Sequence, residues 1–282
     1  MHGGGNAAIL AVLCPGDRLD VMAARTRIDR AIILAAGKGS RLLPLTADRP
    51  KCLIRLSGRT LLEWQLDSLF EAGVTETIVV TGFRPDLVEQ VIAAREPGRG
   101  SVTTIFNPFF HVADNLGSAW MARAAMDRDF LLLNGDTLVP PTLVERLITA
   151  PAAPICLAVD RKAQYDEDDM KVLVEGDRLV RVDKQLEAPD YNAESIGFMR
   201  FSGEGRSAFS EMMESMLRTA EGPSQFFLRA IDRLAATGIV SVVSIEGLEW
   251  AEVDFPADLD SARALTARWA GTGSVAVGQF RG

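Results

Sequence analysis

The sequence predicts an α/β protein built on a mainly parallel β-sheet with helices on both faces. Three observations carry that expectation. Short continuous apolar runs, beginning with Ala31-Ile32-Ile33-Leu34, mark strands buried on both faces. Segments with apolar residues at helical spacing alternate with them, and this alternation feeds parallel strands through right-handed crossovers. The length of 282 residues, with 48% hydrophobic and 24% charged side chains, suits a soluble domain with ample core.

The strand from Ala31 to Leu34 comes first. Leu62, Leu66, Leu69 and Phe70 then recur at helical spacing, and Gly73 supplies a helix stop. Ile78-Val79-Val80 is a second buried strand. Pro85 opens a helix to about Arg95, because its fixed φ suits a first turn. Val102 to Phe106 is a third strand, and Leu116 to Met126 a helix capped by Asp114 or Asn115. Phe130 to Leu133 is a fourth strand, running into Asn134-Gly135-Asp136. The second half is more mixed. Two β-like runs from Lys171 and Arg178 flank Glu175-Gly176-Asp177 as a hairpin. Residues 205–237 read as two helices, Ile239 to Ile245 and Trp250 to Val253 as late strands, and Pro256 to Trp269 as a closing helix. With no internal repeat and no linker, residues 30–270 form one domain. Residues 1–29 are expected to be a disordered extension, with Met22 as an alternative start, and residues 271–282 a flexible tail.

Charge and composition narrow the function. Net charge is 30 − 38 = −8, without a basic run, which argues against a nucleic-acid partner or an anionic membrane. No apolar stretch approaches the ~20 residues of a membrane span. The apolar run Ala7 to Cys14 lacks a preceding cation and a small residue before Cys14, so it is not read as a signal peptide. Cys14, Cys52 and Cys156 are widely spaced, which fits a reducing cytoplasm rather than a disulfide or zinc framework. Only His2 and His111 are available to histidine-based catalysis. A homo-oligomer is compatible with this composition.

The strongest local signal is Leu34-Ala35-Ala36-Gly37-Lys38-Gly39-Ser40-Arg41-Leu42, followed by Pro44-Leu45-Thr46 and Pro50-Lys51. It begins where a buried strand ends. In open α/β sheets ligands bind there, beyond the carboxyl ends of the strands. Glycines let backbone N–H groups approach a phosphate chain. Lys38, Arg41 and Lys51 add three cations within fourteen residues. A triphosphate carries roughly four negative charges, and donors plus convergent cations are what it needs. The P-loop pattern is missing, and the dinucleotide fingerprint fails at Leu42, where its third glycine belongs. Bare glycines would read as an ordinary turn; the whole constellation does not. Asp136 lies just past a buried strand on the same rim. Alone, such an Asp is a cap or a turn residue.

The stretch L-A-A-G-K-G-S-R-L-x-P-L-T-x-x-x-P-K resembles the signature of the sugar-phosphate nucleotidyltransferases, and the resemblance runs from about Asp29 to Trp269. Asn107-Pro108-Phe109, Asp114-Asn115-Leu116-Gly117-Ser118, Leu133-Asn134-Gly135-Asp136 and Glu252-Val253-Asp254 look like the branch containing phosphocholine cytidylyltransferases. The resemblance implies a Rossmann-like α/β fold and a Mg²⁺ cofactor held by Asp136 and Asp254. It implies transfer of NMP, with CTP as the donor, to a small phosphorylated acceptor such as phosphocholine, a phosphonate or a sugar phosphate. Leu34, Ala35, Ala36, Gly37, Lys38, Gly39, Gly82, Asn115 and Ser118 would bind the nucleotide. Arg41 and Lys51 would be the catalytic cations, with Lys51 between donor and acceptor phosphates. Lys171 or Lys184 would meet the acceptor phosphate.

Other readings remain in view. The acidic run Asp166-Glu167-Asp168-Asp169 could face a cationic acceptor, but a solvated loop is its ordinary fate. Trp250, Tyr165 and Tyr191 could cage a quaternary ammonium, although core packing is the expected role of each. His111 is read as structural. A glycosyltransferase of related architecture would use a D-x-D metal motif, and the strings at Asp127-Arg128-Asp129 and in the acidic run do not follow a buried strand. A non-catalytic nucleotide sensor would be expected to lack a carboxylate or loop cation that this chain retains.

Overall fold

A computed structural model describes residues 28–96 and 98–277, with side chains placed to residue 271. In chain order it contains β1 (Arg30–Ala35), the short strands β2 (Arg55–Leu56) and β3 (Arg59–Thr60), α1 (Leu61–Glu71), β4 (Glu76–Thr81), α2 (Pro85–Ala93), β5 (Ser101–Phe106) and α3 (Asn115–Met121). There follow β6 (Phe130–Asn134), β7 (Thr137–Leu138), α4 (Pro141–Ile148), β8 (Ile155–Asp160), β9 (Lys171–Glu175), β10 (Arg178–Asp183) and β11 (Ala193–Phe201). The chain continues with α5 (Glu204–Leu217), α6 (Phe227–Ala235), β12 (Val240–Ser244), β13 (Ala251–Glu252) and α7 (Asp258–Val277).

Nine strands form one sheet in the order β5-β4-β1-β6-β11-β8-β12-β10-β9. The first four run parallel, as their continuous apolar sequences predict. β11 reverses direction against both β6 and β8, so the parallel order is confined to the first half and to the β8–β12 pair. Helices cover both faces. One core joins Leu116, Phe209 and Ile231 of α3, α5 and α6 to one side of the sheet; the other joins Leu66, Val88 and Leu143 of α1, α2 and α4 to the opposite side. A third, smaller core gathers Leu42, Ile54, Trp64, Leu138, Val253 and Leu259.

Local chemistry explains the element ends. Thr60 and Glu63 form a reciprocal cap on α1: Glu63 N donates to Thr60 Oγ1 (3.2 Å) and Thr60 N to Glu63 Oε2 (2.7 Å). The Asp114 carboxylate accepts from Asn115 N at the start of α3 (2.6 Å). Beyond the sequence expectation lie α4, β8, the central strand β11 and the short strands β2, β3 and β7. The predicted N-terminal boundary also moves. Ile28 is buried and the Asp29 carbonyl accepts from Thr75 N (2.8 Å) and Glu76 N (3.0 Å), so both residues belong to the folded body. Residues 1–27 and 278–282 lie outside the described residues. Residues 271–277, expected as coil, continue α7. No described helix is long and apolar enough to cross a membrane.

Candidate active site

The carboxyl ends of the adjacent parallel strands β1 and β6 set the rim. Gly135 N donates to the Leu34 carbonyl (2.9 Å), and a Cβ on Gly135 would lie 2.5 Å from that oxygen, so the turn before Asp136 needs glycine. Buried Gln65 of α1 donates to the carbonyls of Asn134 and Thr137, both at 2.8 Å, and so clamps the turn from below. The chain then enters β7, which pairs antiparallel with β13 so that Thr137 faces Glu252. Val253 N donates to the Asp136 carbonyl (3.1 Å). Beyond β13, the Asp258 carboxylate at the start of α7 accepts from Asp254 N (2.8 Å) and Phe255 N (2.7 Å), which ties the preceding turn to the helix and orients Asp254. Asp136, Glu252 and Asp254 thereby bring carboxylate oxygens within 4.8 Å of one another.

A lysine answers this charge. Lys51 Nζ donates to Asp136 Oδ2 (2.5 Å) and to Asp254 Oδ1. Its stem lies on the phosphate loop at Gly39, whose φ of +75° and whose missing Cβ (2.8 Å from Lys51 Cβ if present) both require glycine. The loop is pinned below by Leu42, fully buried, and by Thr46 Oγ1, which donates to the Gly39 carbonyl (2.6 Å). Arg41 reaches Asp254 Oδ2 (3.2 Å) and stacks over Phe255 at 5.1 Å from the ring centre. Burial works against the Lys51 ammonium, but the carboxylates of Asp136 and Asp254 overcome it and hold its pKa above the usual lysine value. Burial, and then the charges of Asp136 and Asp254, push the Glu252 carboxyl up to about 8. Three convergent carboxylates, two of which already hold an ammonium, are a donor set suited to a hard oxygen-loving cation such as Mg²⁺.

A cavity of about 620 Å³ opens over this rim. Asp168 of the acidic run enters it, with oxygens 3.6 Å from Lys184 Nζ and 4.0 Å from Arg41 Nη2. Asp168 remains exposed, as a solvated loop predicts, and at the same time borders the cavity beside two cations. Its neighbours Asp166 and Asp169 are tied up within the loop, where Asp166 N donates to Asp169 Oδ2 (2.7 Å).

Comparison with known proteins follows this geometry. The MobA-like NTP transferase domain profile matches residues 31–188, more than half of the chain. The chain belongs to the MobA-like NTP transferase family. That membership places it among the nucleotidyltransferases. It is 27% identical over 261 residues to the CTP:phosphoglutamine cytidylyltransferase of Campylobacter jejuni, covering 82% of this chain and 97% of that one. It is 31% identical over 235 residues, 81% of this chain, to the CMP-5'-(3-aminopropyl)phosphonate synthase of Streptomyces rubellomurinus, but spans only 37% of that protein's length. The solved inositol-1-phosphate CTP transferase from T. maritima is 25% identical, with a TM-score of 0.71 over 85% of this chain and 95% of the other.

In this NTP transferase most of the residues singled out from the sequence converge. Leu34, Ala35, Ala36, Gly37, Gly39, Arg41, Lys51, Asn115, Ser118, Asp136, Lys184 and Asp254 all line the cavity. Lys38 does not: its ammonium sits over the Phe83 ring, 5.3 Å from the centre. Gly82 is also outside the lining, covered by Phe110 and the Ala36 carbonyl, where a Cβ would clash at 2.5 and 2.6 Å. Asn115 and Ser118 face the cavity with part of their capacity spent, since Asn115 Oδ1 accepts from Phe227 N (2.9 Å) and Ser118 Oγ from Asn107 Nδ2 (3.1 Å). Lys171 is corrected as an acceptor ligand. It is buried away from the cavity, and its Nζ donates to the Lys184 carbonyl (3.0 Å), so it positions Lys184 instead. His111, read as structural, lines the cavity. Trp250 donates to Asp160 (2.7 Å), and Tyr165 packs edge-on against Tyr191, away from the cavity, so they form no cage over it. Asp127 and Asp129 pair with Arg30 and Arg206 at the opposite end of β6, which removes that D-x-D string as a metal site. Glu252 was quoted in the motif without a role. Its i, i+2 spacing from Asp254 is the signal that places both on one side of an extended segment.

Proposed function

We propose that this chain transfers CMP from CTP to a small phosphorylated or phosphono acceptor and releases pyrophosphate. The observation that carries the reading is the Lys51 ammonium held between Asp136 and Asp254 at the rim of the phosphate loop. The choice of CTP draws on the cytidylyltransferases among the relatives. An acceptor oxygen attacks the α-phosphorus in line; a new P–O bond forms as the bond to the bridging oxygen breaks, and pyrophosphate leaves with that electron pair. The acceptor oxygen is already ionised near neutral pH, so no general base is needed. Catalysis then rests on alignment and on charge placed in advance.

Gly37 and Gly39 open the backbone to the triphosphate, and Arg41 neutralises its charge from the same loop. Lys51 stands between donor and acceptor phosphates, where their repulsion peaks. Lys184 receives the acceptor phosphate from the far wall. Asp136, Glu252 and Asp254 would hold Mg²⁺, which when bound supplies further charge neutralisation at the phosphates. The deciding experiment is a pyrophosphate-release screen of CTP, UTP, dTTP, ATP and GTP against phosphocholine, aminoalkylphosphonates, phosphorylated amides and sugar 1-phosphates. Release with CTP and a non-sugar acceptor is expected. Release confined to UTP or dTTP with a sugar phosphate would replace this reading.

A further inference from the structure

A second cavity, of about 220 Å³, opens behind the first. The two share Met170, Lys184, Ser224, Phe226 and Leu228 as a common wall. Lys184 stands at the junction: it lines both cavities, and its ammonium lies 3.6 Å from Asp168 of the main one. An acceptor whose phosphate meets Lys184 therefore has room to extend past it. Given the transfer reading above, we infer that the second cavity receives the far end of the acceptor and selects a neutral hydrogen-bonding tail, an amide.

The charges in the cavity exclude the alternatives. Arg229 of α6 and Asp183 at the end of β10 line it as an ion pair. Asp183 also accepts from Gln185 N (3.1 Å). A carboxylate tail would gain Arg229 but meet Asp183 beside it. An ammonium tail would gain Asp183 but meet Arg229. Desolvating either charge without a free counter-charge is costly. A neutral tail escapes that cost. The polar complement is also of the right kind. Gln185 and Gln225 line the cavity, and their side-chain amides form no hydrogen bond with the described residues. The guanidinium reaches Asp183 through Nη1, which leaves further N–H groups for a carbonyl. Amides that donate and accept, next to a spare guanidinium edge, complement a group that also donates and accepts. Met170, Val182 and Leu228 supply the apolar lining for the carbons that lead to it.

The test is steady-state pyrophosphate release with CTP and a series of four-carbon phosphonates that differ only at the far end: phosphonobutyramide, butylphosphonate, phosphonobutyrate and aminobutylphosphonate. The amide should show the lowest KM, roughly tenfold below the alkyl compound, as expected for hydrogen bonds that include a charged donor. Arg229→Ala should raise the amide's KM toward that of butylphosphonate. Because that variant leaves Asp183 without its partner, Gln225→Ala provides an independent reading from a half-buried side chain outside the ion pair; it too should raise KM for the amide and not for butylphosphonate. Equal KM across the series, a preference for either charged tail, or an amide preference that survives both substitutions overturns the subsite and leaves the transfer reaction standing. No release with any of the acceptors overturns both.

Discussion

Two carboxylates, those of Asp136 and Asp254, grip the Lys51 ammonium, and in the proposed reaction two phosphates must close around the same point. A cation there helps most when the phosphates are nearest, so it lowers the barrier more than it aids binding. Lys51→Ala should cut kcat by about a hundredfold or more, in the range of losing one preorganised donor. KM for the nucleotide should move far less. Lys51→Arg should rescue poorly, since a planar fork does not replace the compact ammonium held between Asp136 and Asp254. Steady-state kinetics of both variants checks this; a steep rise in KM at constant kcat would make Lys51 a ground-state anchor instead. Lys51, Asp136 and Asp254 were legible through the family resemblance, because alone an Asp after a strand reads as a cap or turn residue. Asp168 was not, because its neighbours Asp166, Glu167 and Asp169 give the same sequence signal and only the folded loop decides which of them faces Arg41 and Lys184.

Among the elements that escaped the sequence, β11 has a clear physical reason. β11 is buried along all nine residues yet carries Glu194, Ser195 and Arg200, which break the apolar run that would mark a central strand. Each polar group has a structural reason. Arg200 donates to the carbonyls of Leu147 (3.2 Å), Ile148 (3.1 Å) and Ala150 (2.8 Å), satisfying the open end of α4. Glu194 pairs with Lys162 (2.8 Å), which also holds Asp169 (2.8 Å), and so fastens to the sheet the loop that carries Asp168. Burial outweighs this pairing, and with the charge of Asp169 it pushes the Glu194 carboxyl up to about 7, above its ordinary value of 4.5. Between those values the folded chain keeps a proton that the unfolded chain has lost, so rising pH favours unfolding through this group. Glu194→Gln should remove that slope. Urea denaturation across the acid-to-neutral range should show the wild type losing stability relative to the variant as pH rises from about 4.5 to about 7, and no further change above. Parallel curves would mean that Glu194 titrates like an exposed carboxyl.

At the scale of the whole molecule, the parallel half of the sheet was readable because crossover helices separate its strands, while beyond β11 only the local β9–β10 hairpin pairing was readable and the β11–β8, β8–β12 and β12–β10 pairings join segments remote in sequence. The same remoteness governs the site. Asp254 lies 203 residues from Lys51, and Asp136 lies 85 residues from it. The third core is what joins them. Leu42 lies under the phosphate loop, Ile54 follows Lys51, Leu138 follows Asp136, Val253 precedes Asp254, and Leu259 of α7 packs into the same cluster. This core is small, so one cavity in it has few other contacts to hold the segments in register. Leu259→Ala should cost roughly 2–5 kcal/mol, as large-to-small changes at buried sites do. It should also lower kcat about tenfold in the folded protein, because ångström-scale misplacement of reacting groups is enough for that. Leu147→Ala, in the large core beside α4, is the matched control. It should cost similar stability and leave kcat within about twofold, since α4 carries no group of the site and its shifts reach Lys51 only through the sheet. Urea midpoints and kcat measured well below both unfolding transitions separate the two effects. Equal loss of kcat in the two variants would show that the alignment of Lys51, Asp136 and Asp254 depends on overall stability and not on the small core beneath them.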